Sequence, residues 1–143
     1  MKIKIAEASE LVIDFLVAKC EIPNDVRDNR PRFWLHPNNP KLVCRETYNH
    51  ETNPKGYELC RYSTDWAQGG PIIDREKLCV GYQHQCDPEY VPLLDPATIC
   101  WARTTAGGYL KYGPTPLVAA LRCFVASRLG DEVEVPDELL CTP

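Results

Sequence analysis

Gly113-Pro114-Thr115-Pro116-Leu117-Val118-Ala119-Ala120-Leu121-Arg122-Cys123-Phe124-Val125-Ala126-Ser127-Arg128-Leu129-Gly130 is the stretch that decides the fold. Thr115 stands where a helix cap belongs, Pro116 occupies the first helical position, and Gly130 falls just past the end. Leu117, Leu121, Phe124, Val125 and Leu129 recur at helical spacing and mark a core stripe. Immediately upstream, residues 98–103 and 109–112 read as two strands joined through Ala106-Gly107-Gly108, the clearest hairpin in the chain. A helix with an apolar stripe beside a hairpin predicts a helix laid on a sheet.

The amino-terminal part repeats the theme. Lys2 to Ile5 alternate polar and apolar, as in a short strand, and Ser9 then sits at a cap position. Leu11, Val12, Phe15, Leu16 and Ala18 follow at helical spacing, with Ile13, Val17 and Cys20 widening the apolar arc, so this helix is expected to be covered on most sides. Ile22-Pro23-Asn24-Asp25 ends it. From 27 to 55 the chain turns polar, with prolines separating strand candidates at 33–36 and 42–47; residues 57–62 suggest another strand. Residues 86–96 carry three prolines and read as an irregular crossing segment, and Val133 and Val135 permit an edge strand. The expected architecture is a single α+β domain over 1–143, a small mixed or antiparallel sheet packed by two main helices, with a disordered tail from 136 to 143.

Composition bounds the rest. A chain of 143 residues, 44% of them hydrophobic, suffices for one core without metal or disulfide. Twenty acidic against sixteen basic residues give a net charge of -4, which opposes bulk nucleic-acid and anionic-membrane binding. The first 21 residues are interrupted by Glu7, Glu10, Asp14 and Lys19, so no signal or membrane span is expected and the chain is expected in the cytoplasm. In that reducing compartment the eight cysteines stay as thiols. No Cys-x-x-Cys knuckle exists, and His36, His50 and His84 share no ligand spacing, so no metal site or cofactor is expected. Cys20 and Cys123 read as buried helix residues, and Trp34 and Trp101 as core strand residues.

One stretch is chemically unlike its surroundings: Ser63-Thr64-Asp65-Trp66-Ala67-Gln68-Gly69-Gly70-Pro71-Ile72-Ile73-Asp74-Arg75-Glu76. Read as a loop leading into a helix that starts at Pro71 and is lost near Cys79, it offers the free amides of Gly69 and Gly70 to an anion. Around them Trp66 supplies a stacking face, Thr64 a hydroxyl, Asp65 an acceptor for ribose hydroxyls, Gln68 a reader of base edges and Arg75 a planar cation. Thr115 and Arg122 form a second group at the start of the carboxy-terminal helix. Each has a plainer role as well. Asp65 suits a turn cap, Gln68 a loop brace, Trp66 a packed anchor, Arg75 a solvated helix face, and Arg122 a stem lying over apolar surface.

The block 63–76, the block Asp14-Phe15-Leu16-Val17-Ala18-Lys19-Cys20-Glu21 and the opening stretch extended through Asp131-Glu132-Val133 resemble the NinX-like family of small tailed-phage proteins, which has no generally assigned activity. The likeness covers about a third of the chain. The family pattern has Trp where Phe15 stands, and the stretches 24–61 and 79–97 differ from it. The resemblance implies origin in a phage or prophage accessory region and action inside an infected bacterium, and it implies no catalysis.

The residues themselves supply no Gly-x-Ser-x-Gly, no phosphate loop with Lys and no His-Glu-x-x-His. The leading expectation is therefore that the protein binds, without catalysis, a small nucleotide-like ligand and thereby sequesters a bacterial defence signal. Its rival is an interaction module docking on a host protein through the Trp66 segment. A nucleotide-cleaving enzyme with Asp65 and Asp74 as an acid and base pair ranks behind both. Homo-oligomerisation through edge strands or helices stays open.

Overall fold

The structure, a computed structural model, describes residues 1–47, 56–83, 96–106 and 108–140. His50, His84, Cys86 and all but Pro96 of the crossing segment expected over 86–96 lie outside the described residues, as do 141–143 of the tail.

The elements follow the order β1 (Lys2–Lys4), α1 (Glu10–Glu21), β2 (Phe33–His36), β3 (Asn39–Glu46), β4 (Tyr57–Leu59), α2 (Trp66–Glu76), β5 (Cys79–Tyr82), β6 (Cys100–Arg103), β7 (Leu110–Gly113), α3 (Pro116–Leu129) and β8 (Glu132–Glu134). The fold is the expected single-domain α+β arrangement, and the described residues form three α-helices, α2 being longer than the short helix expected from Pro71. Among the described residues the strands form three small antiparallel sheets, β1-β8, β2-β3-β4 and β5-β6-β7, where one was expected.

α3 is the centre of the molecule. Thr115 caps it by accepting from the Val118 amide at 3.1 Å, and Gly130 ends it with a φ of 93°. Leu117, Leu121, Phe124 and Val125 are buried as expected, but Val118, Ala119, Ala120, Cys123 and Ala126 are buried too, while Leu129 is only partly covered. The small residues explain this: on the faces carrying alanine, neighbours approach closely enough to cover the backbone. α3 packs against β5, β6 and β7, α1, α2 and β8.

α1 is capped by Ser9, whose Oγ accepts from the Val12 amide, and stops at Ile22 before Pro23. It carries the β2-β3-β4 sheet through β3. Cross-strand register in that sheet pairs Trp34 with Cys44, and in the other sheet Gly81 with Trp101. Both tryptophans are half-buried rather than core. β5 had no counterpart in the sequence reading; Leu78, Val80 and the β6 pairing hold it against the sheet. β8 pairs with β1, Ile3 opposite Val133. In the segment expected to be disordered, Asp137–Leu139 form a 3-10 turn that buries Leu139.

Candidate functional sites

The segment 63–76 is a helix from Trp66 onward, not a loop ending at Pro71. Asp65 decides the start: its Oδ1 accepts from the Ala67 amide at 2.9 Å, and its carbonyl takes the Gly69 amide at 2.9 Å. The Gly69 amide is therefore spent inside the helix and not offered to an anion. Gly69 is there for contact, since a Cβ would strike the Tyr62 carbonyl oxygen and come within 2.6 Å of Leu117 Cδ1. Gln68 braces the turn, Oε1 accepting from the Arg61 amide at 2.8 Å and Nε2 donating to the Leu59 carbonyl at 3.1 Å. Asp74 lies nine positions after Asp65, about 13 Å along the helix axis, so the two carboxylates form no acid and base pair.

Arg75 ties three helices together. It pairs with Glu21 at the end of α1 and with Glu76 at 3.1 Å, and its guanidinium sits 5.8 Å from the Phe124 ring centre on α3. The hydrogen bonding it donates to Glu21 raises its pKa further above the ordinary arginine value. Trp66, by contrast, is 55% exposed and lies over Gly70, where a Cβ would sit 3.5 Å from Cε3. With Ile73, Asp74 and Lys77 these two residues form an open groove along α2. Of the residues expected at this end, Asp65, Gln68, Gly69 and Arg75 serve the fold, and Thr64 and Trp66 face solvent.

The second expected group is placed differently. Thr115 is consumed as the α3 cap. Arg122 reaches out of α3 to donate from Nη1 to the Tyr112 carbonyl and from Nη2 to the Ala8 carbonyl, each at 2.7 Å. It has no carboxylate partner among the described residues, and its Nε is buried without a hydrogen bond. Burial lowers its pKa from the ordinary arginine value, the signature of a cation without a compensating charge. It borders a cavity of about 430 Å³ shared with Glu7, Thr98, Leu110, Lys111 and Tyr112. Tyr112 is 41% exposed, and Lys111 pairs with Asp131 at 2.6 Å.

A third place was missed in the sequence. Asp14 on α1 is only 7% exposed and accepts from the Ser63 amide at 2.7 Å. Desolvation pushes its carboxyl up to about 6, against the opposing pull of that hydrogen bond. It lines a cleft of about 250 Å³ with Glu10, Lys41, Arg61 and Thr64. The signal was available: a carboxylate interrupting Leu11-Val12-Ile13 and Phe15-Leu16-Val17-Ala18. No cluster of metal-binding side chains occurs among the described residues, and no helix among them is long and apolar enough to cross a membrane.

Compared with known proteins, residues 4–128 match the family model described as "Bacteriophage P22, NinX". No curated protein matches the chain.

Proposed function

The chain belongs to the bacteriophage P22 NinX family, and from that premise we propose that it is a phage accessory protein that binds, without catalysis, a small nucleotide-like ligand in the cytoplasm of the infected host. Sequestration of a bacterial defence signal is the role this binding would serve. The observation that carries the reading is Arg122, a guanidinium that has no carboxylate partner among the described residues and stands at the wall of a cavity of about 430 Å³.

That volume falls within the roughly 300–1,000 Å³ typical of small-molecule pockets. A phosphate beside Arg122 supplies the missing negative charge, Tyr112 offers a ring face for a base, and Leu110 and Ala97 give apolar contact. The nucleotide-like ligand is thus proposed at the Arg122 end. At the Trp66 end the groups first assigned to it are engaged in capping, bracing and ion pairing.

Calorimetric titration with cyclic dinucleotides, ADP-ribose derivatives and mononucleotides tests this. Binding tighter than about 100 micromolar, about 5 kcal/mol, by at least one of them is expected, weakened tenfold or more by Tyr112→Ala. Binding by none, or binding indifferent to both Tyr112→Ala and Arg122→Lys, refutes the site.

A second reading rests on Trp66, an exposed tryptophan on a helix face of the kind that anchors protein interfaces. Capture of a stoichiometric host protein by the wild type but not by Trp66→Ala supports docking on that protein.

A further inference from the structure

The cleft beside Asp14 collects four charged side chains that form no ion pair among the described residues: Glu10, Asp14, Lys41 and Arg61. Elsewhere the protein pairs its charges readily, as in Arg30 with Glu46 at 2.7 Å and Arg128 with Glu76 at 2.5 Å. Here two carboxylates one helical turn apart on α1 face a space whose other walls, from β3 and the turn after β4, bring two cations. Leu11, Val43 and Leu59 give it apolar lining.

Burying Asp14 costs the fold something that hydrogen bonding from Ser63 does not offset, since desolvation remains the dominant influence on its carboxyl. A carboxyl perturbed by desolvation and sitting in a cleft is a candidate ligand-binding group. The space of about 250 Å³ lies below the roughly 300–1,000 Å³ typical of small-molecule sites, which favours an occupant of few heavy atoms.

We propose that this cleft binds a small zwitterion, a free α-amino acid with an aliphatic side chain, holding its ammonium group at Asp14 and Glu10 and its carboxylate at Arg61 and Lys41. A simple amine leaves both cations without a partner, and a simple anion sits against a buried carboxylate. Only a molecule carrying both charges a few bonds apart answers all four side chains, while Leu11, Val43 and Leu59 take up the aliphatic part. The cleft shares no lining residue with the cavity at Arg122, so the two sites stand or fall separately.

Calorimetry with leucine and valine, and with leucinamide and 4-methylpentanoate as the forms lacking one charge, decides the matter. The expected result is a Kd below about 1 mM for leucine or valine, with the amide and the acid at least tenfold weaker. Asp14→Asn keeps an acceptor for the Ser63 amide and so remains folded; it and Arg61→Gln should each weaken binding tenfold or more, while any nucleotide binding at the Arg122 cavity is unchanged in Asp14→Asn. Absence of leucine and valine binding at about 10 mM, equal binding of the singly charged analogues, or indifference to both substitutions overturns the proposal.

Discussion

Asp14 shows how a single residue links the fold to its chemistry. Its carboxyl stands at about 6 in the folded protein against 3.8 unfolded, so the folded state holds the extra proton between those values. The contribution to stability is therefore fully present below pH 3.8 and lost as pH rises through about 6. Asp14→Asn removes this dependence, because an amide does not ionise. Relative to wild type, the variant should gain about 2–3 kcal/mol between pH 4 and pH 8, read from urea midpoints; a constant difference across that range would remove desolvation as the cause. Gly69 carries the opposite lesson. Alanine is the better helix former by about 1 kcal/mol, yet a Cβ there meets the Tyr62 carbonyl and Leu117, and backbone cannot give way as a side chain can. Gly69→Ala should lower stability by about 1–3 kcal/mol in the same denaturation experiment. In the sequence Gly69 and Gly70 look like anion-binding amides because the atoms that demand Gly69 come from other elements.

At the level of elements, what the chain encodes locally was legible and what it encodes between distant segments was not. Ser9 and Thr115 announced α1 and α3, and both side chains accept the expected amides. The hairpin β6-β7 followed from its glycines. α2 was misplaced by five residues because Pro71 looks like a helix start, whereas Asp65 already satisfies the amides one turn earlier. Pro71 then sits inside the helix on its exposed side, where the lost backbone bond faces water. β5 and the β1-β8 pairing depend on partners far along the chain, which no local pattern announces. The two polar ends of the helices differ in weight accordingly. Thr115→Ala should cost about 1 kcal/mol by loss of the cap, and Trp66→Ala, at an exposed position, less than that; thermal melts of the two variants give the comparison. A larger loss for Trp66→Ala would mean that the ring is an anchor of the fold and not a free face.

At the scale of the whole molecule, the described residues form three small sheets of two or three strands each, held by one helical layer. α3 carries β5, β6 and β7 directly, while β2, β3 and β4 reach the core mainly through α1. Arg75, Arg128, Glu21 and Glu76 clamp the ends of all three helices around Phe124. The proposed ligand sites lie where this layer meets its dependents: Arg122 leaves α3 to hold the carbonyls of Tyr112 and Ala8, and Asp14 leaves α1 to hold the turn that starts α2. Placing binding groups on the helices and their neighbours on the sheets makes each site sensitive to the docking of one on the other. Leu121 lies fully buried in α3, so Leu121→Ala should remove about 2–5 kcal/mol. Because β5-β6-β7 rests on α3 and β2-β3-β4 rests on α1, amide exchange in the variant should rise first and furthest in β5-β6-β7. If β2-β3-β4 instead lost protection first, α1 rather than α3 would be the element on which the core depends.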